Sequence, residues 1–574
     1  MRYICSILLT SILVYTNVFN TNASNKIKFI DVTAEAGIVF QHVDGRSGKK
    51  FLLETLGSGA LFLDYNLDGY IDLYIVNATT IPLPTQNKDL KSNHTNLPTN
   101  VLYQNNGNGT FSDVTLKAGV GDTGYGVGCA SADIDNDGYP EIFVTNYGTN
   151  RLYYNNGDGT FTDITETARI GDKRWGTGCA FLDYDLDGDV DLYVVNYMEF
   201  SADENKGWMS RGTRIYCSPV DQMDGTRFKS ETDILYRNNG DTTFTDVTDI
   251  AGISHRGLGL AVAVGDYDND GDPDMHVAHD MEPDILYQNN GDGTFSDITD
   301  ITGTGYDDTG IPGSGMGSAF GDYNNDGYLD LLVSNAPSQP VLLYQNASAM
   351  FFNDVSYASG IGAITLTDFK WAVDFFDYNN DGLQDIYVSN GHLQDNIEAY
   401  TDDTYPQKDL ILQNSKLDNN YIYTDVSADV GLSDITKYVG RGAAFGDYDN
   451  DGDIDIFLNH SNQPAKLLRN DGGNSNNWIT IHTIGTKSNA SGIGTRVKLK
   501  TSTLSLQKEV HSGSSYLSQN DLRLHFGLGK NSEVKKLELH WQSGHIDTFF
   551  NIKSNQTIVI KEKHGISIPK PKRK

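Results

Sequence analysis

The chain has 574 residues, enough for more than one core. With 43 basic against 76 acidic side chains its formal charge is −33, which argues against a nucleic-acid or anionic-membrane partner. A hydrophobic share of 38% with 11% aromatics argues against a disordered acidic protein, and 59 glycines beside 14 prolines point to short strands joined by tight turns.

Residues 1–23 read as a secretory signal peptide. Arg2 precedes an apolar run from Ile4 to Tyr15, and Thr21-Asn22-Ala23 offers small residues for cleavage. The run is shorter than the ~20 residues of a membrane span. The mature chain is therefore expected to be secreted, periplasmic or cell-surface, without a membrane span. Its three cysteines are Cys129, Cys179 and Cys217. Cys129 and Cys179 each stand four residues before an acidic loop, where other copies have Ala60, Val262, Ser318, Val373 or Ala443. That position asks for a small buried residue, so free buried thiols are expected; a Cys179–Cys217 bridge has no support from spacing.

From residue 24 to 475 two phrases alternate. The first is F-x-D-V-T or a close variant, at Phe29, Phe111, Phe161, Phe244, Phe295, Phe352 and Tyr423. The second is an acidic nonapeptide starting at Asp64, Asp133, Asp183, Asp266, Asp322, Asp377 and Asp447, as in DYDNDGDPD. Apolar β-type runs flank each acidic loop, and a phrase such as LYQNNGNGTF supplies an Asn-Gly hairpin turn. One repeat thus predicts four strands, and seven repeats predict an all-β fold: a seven-bladed β-propeller closed radially to avoid open edges. The chain enters on one half of a repeat and leaves at Leu467 on the other, so the first strand is expected to complete the last blade.

The acidic pattern is D-x-[DN]-x-D-G-x-x-[DE]. Position 1 is Asp64, Asp133, Asp183, Asp266, Asp322, Asp377 and Asp447; position 3 is Asn66, Asp135, Asp185, Asp268, Asn324, Asn379 and Asp449. Position 5 is Asp68, Asp137, Asp187, Asp270, Asp326, Asp381 and Asp451; position 9 is Asp72, Glu141, Asp191, Asp274, Asp330, Asp385 and Asp455. Side chains 1, 3 and 5 are expected to converge, with glycine at 6 making the turn and the acid at 9 closing the shell. Hard oxygen donors in that number suit Ca²⁺ better than Mg²⁺, and strands in place of helices exclude an EF-hand. Up to seven Ca²⁺ are expected. Sites repeated alike in every hairpin act as structural staples, so chelation should lower the melting temperature.

Three linkers are long, Ala78–Asn100, Tyr197–Asp233 and Gly391–Asp409, and fall at the same point of the repeat, hence on one rim. They carry His94, Trp208, Arg211, Arg214, Tyr216, Cys217 and His392, either packing the insertions down or forming a ligand-binding rim. His276 and His279 read as packing residues. Catalytic triads, zinc spacings and phosphate loops are missing from the sequence; strings such as GVGCA precede strands, not helices.

Residues 476–562 form a separate β-domain, and 563–574 a basic tail expected to lack structure. From residue 476 onward the net charge is +10, against −43 for the rest, so this part can dock on the propeller or face an anionic partner. The repeats resemble the FG-GAP/VCBS calcium-binding repeats. The run NWITIHTIGTKSNASGIGTRVKL, EVHSGSSYLSQND, LHFGLG and LHWQSG resembles the ASPIC/UnbV domain, and the two together resemble the cartilage acidic protein 1 family. YCSP at Tyr216 and VSNGH at Val388 are similar to segments of that family, with serine where YCGP is more usual. The resemblance implies an exported calcium-binding, adhesion-like or matrix protein and names no catalytic residues. The expected role is a non-catalytic binding module for a protein or polysaccharide at a cell surface or matrix. The alternatives are a polysaccharide lyase or hydrolase on the insertion rim, or an accessory protein in secondary metabolism.

Overall fold

The structure, a computed structural model, describes residues 26–81, 97–200, 208–210, 212–219, 228–418, 420–435 and 437–569. The signal-peptide segment, His94 and Arg211 lie outside these residues, as does the side chain of Trp208.

Among the described residues, seven antiparallel four-stranded sheets share one strand order. The first runs Ala60–Leu63, Asp72–Ile75, Val101–Asn105, Phe111–Asp113 from inside to outside, and the sixth Lys370–Phe376, Asp385–Asn390, Leu410–Leu417, Asn420–Asp425. Every acidic loop joins the two innermost strands of its sheet. The seventh sheet is finished by the chain's first strand, Lys28–Asp31, which pairs antiparallel with Lys466–Asp471. Successive innermost strands pack on one another, the first against the last included, so the ring closes. This is a β-propeller.

The innermost strands are rich in glycine and alanine because backbones meet there. A Cβ on Gly128 would lie 2.6 Å from the Thr177 carbonyl oxygen, and one on Gly442 2.2 Å from that of Ser58. The GVGCA-type strings are close-approach sites, consistent with their place before strands. Cys129 and Cys179 sit buried beside them, and among the described residues no disulfide joins them or Cys217.

Residues 477–567 form two further four-stranded sheets packed against each other. The last strand, Gly565–Ser567, pairs with Gln556–Lys561, so order extends into the segment expected to be an unstructured tail; three backbone pairs outweigh its basic composition.

This domain docks on the acidic-loop face of the propeller and sends one segment, His511–Asp521, up its axis. Cys129 donates to the Leu517 carbonyl (3.2 Å), Ser318 exchanges two backbone bonds with Ser515 (3.0 and 2.8 Å), and Phe62 donates to the Gln519 carbonyl (3.2 Å). Side chains extend the grip: Ser131 donates to Gln519 Oε1, Phe181 to Ser512 Oγ, Val373 to Ser515 Oγ and Phe445 to Asn520 Oδ1, at 3.0–3.3 Å. Tyr516 is fully buried, its ring 5.1 Å from that of Trp371. From the opposite end a single turn, Leu52–Thr55, fills the axis and is itself buried. Arg441, 1% exposed, ties this turn to the wall that Tyr516 packs on: Nε donates to the Thr55 carbonyl (2.9 Å) and the guanidinium lies 3.8 Å from the Trp371 ring centre. The axial channel is thus occupied by the chain itself.

Candidate metal centres in the acidic loops

The loop geometry follows from its residue types. Asp64 Oδ1 accepts from the amide of Asp68 (3.0 Å) and Oδ2 from that of Gly69 (2.8 Å), and the same pair of bonds recurs at Asp133, Asp266, Asp322, Asp377 and Asp447. Position 6 has φ between 91° and 106° in all seven loops, which is why it is glycine. Position 4 is also left-handed, φ 55–65°, held by Asn in five loops and by Leu67 and Leu186 in two.

Positions 1, 3 and 9 come together. In four loops they place ligand oxygens within 4.8 Å of one another: Asp133, Asp135 and Glu141; Asp183, Asp185 and Asp191; Asp266, Asp268 and Asp274; Asp447, Asp449 and Asp455. These are the loops with aspartate at position 3. Where position 3 is Asn66, Asn324 or Asn379, its amide oxygen accepts from the backbone of position 5. The position 5 carboxylates lie outside these groups. Asp68, Asp137, Asp187, Asp270, Asp326, Asp381 and Asp451 each accept from the amide two residues on, a local turn that uses their near oxygen.

The carboxylates are costly as they stand. Burial pushes the position 1 acids up, Asp64 to about 6, Asp133, Asp183, Asp266, Asp322 and Asp377 to about 7, and Asp447 to about 8. Burial raises Glu141 to about 9 and lifts Asp72, Asp191, Asp274, Asp330, Asp385 and Asp455 well above the carboxylate range, with neighbouring loop carboxylates adding to it. Asp183 Oδ1, Asp185 Oδ1, Asp385 Oδ2 and Asp449 Oδ1 are buried without a hydrogen-bond partner among the described residues. Orphaned buried oxygens, with neither imidazole nor thiolate in the set, fit a hard divalent cation such as Ca²⁺.

The loops are not identical. Arg496 of the C-terminal domain reaches the fourth, with Nη2 2.5 Å from Asp266 Oδ2 and 3.2 Å from Glu509. That loop alone, among the described residues, has a position 1 carboxylate in an ion pair.

The spacer positions, which carry no metal chemistry, join the blades. Tyrosine at position 2 packs on the aromatic of the F-x-D-V-T phrase in the next blade, as in Tyr65 with Phe161 (5.8 Å between ring centres) and Tyr448 with Phe111 (5.7 Å). The last asparagine of each third strand donates to the position 2 carbonyl of the preceding loop: Asn155 to Tyr65, Asn238 to Ile134, Asn289 to Tyr184, Asn346 to Tyr267, Asn414 to Tyr323, Asn470 to Tyr378 and Asn105 to Tyr448, all at 2.8–3.0 Å. The same asparagine's backbone amide donates to the position 9 carboxylate of its own blade, 2.7 Å for Asn105 to Asp72. Position 4 asparagines add a second set, such as Asn269 to the Gly327 carbonyl and Asn450 to that of Gly69. These contacts were not anticipated from the sequence; the in-phase recurrence of Asn at the strand end was the available signal.

Where it is described, the insertion rim is packed. Tyr216 is buried, exchanges two bonds with the Gln394 side chain (2.7 and 2.9 Å), lies under the Lys50 ammonium and donates to Glu54. The Arg214 carbonyl accepts from Asn396 (2.9 Å), and His392 meets Phe369 edge-on. His276 bonds Ser318 Oγ at 2.8 Å, and His279 is likewise buried.

Five matches to the FG-GAP-like repeat family, at residues 64–144, 133–194, 226–277, 266–333 and 322–388, together cover half of the chain. The chain belongs to the FG-GAP-like repeat family. Residues 485–567 match the ASPIC and UnbV family, the domain that plugs the propeller axis. The repeat protein is similar to cartilage acidic protein 1 of Xenopus tropicalis, 29% identical over 50% of this chain and 42% of that one, and to that of Homo sapiens, 26% identical over 54% and 44%. The matched region spans less than half the length of these relatives. Among solved structures it is similar to the BP39L lectin of Burkholderia pseudomallei (TM-score 0.43, 10% identity, 72% of this chain and 95% of that one). It is also similar to an Agrocybe aegerita lectin described as recognising non-reducing terminal N-acetylglucosamine (TM-score 0.36, 16%, 65% and 87%).

Proposed function

We propose that this is an exported, calcium-stabilised, non-catalytic binding module that engages a protein or carbohydrate at a cell surface. The observation that carries the reading is the repeated set of buried loop carboxylates, four of whose oxygens lie buried without a hydrogen-bond partner among the described residues. Repetition in phase supports a scaffolding role for Ca²⁺: each ion ties the two inner strands of a blade, and the blade's asparagine carries that order to its neighbour. The positions 1, 3 and 9 are proposed as ligands. The chain-filled axis removes the channel mouth as a substrate site, which favours binding on the outer surfaces over an enzyme of the insertion rim.

The test is size-exclusion co-elution of residues 24–574 with neutral and acidic polysaccharides, in calcium and in chelator. Co-elution with intact polymer, lost in chelator, supports the reading. A fall in polymer mass would replace it with an enzyme.

A further inference from the structure

The outer hairpin of the sixth blade departs from the others. The equivalent strands of the first blade, Val101–Asn105 and Phe111–Asp113, are short and turn through Asn-Gly-Asn-Gly. In the sixth they lengthen to Leu410–Leu417 and Asn420–Asp425, and pairing continues through Lys416 with Tyr421 and Leu417 with Asn420. The added residues serve no core: Lys416, Leu417 and Asn420 are exposed. They reach instead toward the acidic loop of the fifth blade. There the Tyr421 hydroxyl donates to the Asn324 carbonyl, and its ring meets Tyr323 edge-on at 5.7 Å.

Between hairpin and loop lies a cleft of about 840 Å³, within the ~300–1,000 Å³ range of small-ligand sites. Its third wall is Thr503, Leu504 and Ser505, a turn of the C-terminal domain. Three units of the fold, two blades and the appended domain, therefore meet around one cavity.

The lining has a definite chemistry. One ammonium, Lys416, and one carboxylate, Asp326, offset each other; the ammonium lies 4.9 Å from the Tyr421 ring centre and donates to its hydroxyl at 2.9 Å. Gln345 stands where Gln288 of the fourth blade donates to its own loop's Asp268 at 2.7 Å. In the fifth blade position 3 is Asn324, and the Gln345 amide makes no hydrogen bond among the described residues; nor do the side chains of Asn420 and Ser505. Two amides and a hydroxyl thus face the cleft with donor and acceptor capacity unspent. Val355, Leu383 and Leu504 add apolar surface beside the half-buried face of Tyr421.

We propose that this cleft binds a neutral oligosaccharide. Amides and hydroxyls pair with ring hydroxyls as donor and acceptor at once, the apolar patches accept the C–H face of a sugar ring, and balanced charge matches a neutral ligand. The inference deepens the binding-module reading and rests on it.

Isothermal titration of residues 24–574 in calcium with cellotetraose, mannotetraose, galactotetraose, chitotetraose and, as a charged control, tetragalacturonic acid tests it. At least one neutral tetrasaccharide is expected to bind. Ala358→Trp, which fills the cleft from an exposed position, and Asn420→Ala are each expected to weaken that binding about tenfold, ~1.4 kcal/mol, at unchanged melting temperature. Neutral sugar bound as tightly by Ala358→Trp as by the wild type would overturn this site and leave the module reading standing. Binding of the acidic control alone, or of no tetrasaccharide, would also overturn it; polysaccharide co-elution then decides the module reading separately.

Discussion

The side-chain amide of Asn105 donates to the carbonyl of Tyr448 at 2.8 Å, although 343 residues separate them. This bond ties the first blade to the last, and six equivalents complete the ring. Each is buried, so deleting a donor leaves a carbonyl without a partner, at about 1–3 kcal/mol. Asn289→Ala is expected to lower the thermal midpoint, whereas Asn290→Ala, on the exposed hairpin turn, leaves it close to wild type. Differential scanning calorimetry of the two variants checks this.

The axial plug predicts that the propeller's stability depends on the appended domain. Tyr516→Ala opens a cavity against Trp371, and an aromatic-to-alanine change in a core costs about 3–5 kcal/mol. Loss should register in the propeller as well as in its own domain. Faster hydrogen exchange at Ser318 and Cys129, whose amides bond the plug, is the readout; unchanged protection there would contradict the arrangement.

Arg496 makes the fourth loop a test of charge balance. Removing one partner of a buried ion pair costs about 3–5 kcal/mol because the other charge stays behind. A cation in the loop offsets that charge. Arg496→Ala is therefore expected to destabilise more strongly in chelator than in calcium, measured by paired urea unfolding curves.

Two buried histidines set an acid limit. Burial depresses His42 to about 3 and His460 to about 4; they face each other and Arg441, and His460 also faces Lys466 and Asp31. A depressed histidine is neutral in both states above its unfolded value of 6.5, so its contribution is intact there. Below pH 6.5 only the unfolded chain takes the proton, and stability falls until the folded values are reached. One such group contributes a slope of at most ~1.4 kcal/mol per pH unit. The stability difference between wild type and His42→Asn, followed from pH 7 to 5 in calcium, should fall accordingly.

Much of this was legible in the sequence. Period and turn residues give the four-strand unit, because Asn-Gly and the strand runs are local signals. The split repeat at Phe29 and Leu467 gives the strand exchange that closes the ring. Other features were not legible because they depend on which blade lies next. Asn105, Tyr65 and Asn450 read as turn or spacer residues until the neighbouring blade supplies Tyr448, Phe161 and Gly69. The segment HSGSSYLSQND likewise carries no sign in its own composition that it occupies an axis. Tyr216 and His392, candidates for a binding rim, form the packed cover over that axis.

The most direct measurement is calorimetric unfolding of residues 24–574 in calcium and in excess chelator, with bound metal counted by elemental analysis. Each site held a hundredfold above its dissociation constant adds about 2.7 kcal/mol, so several sites should raise the midpoint markedly in calcium, with several ions per chain. An equal midpoint in chelator, with no metal retained, would contradict the calcium-stapled propeller.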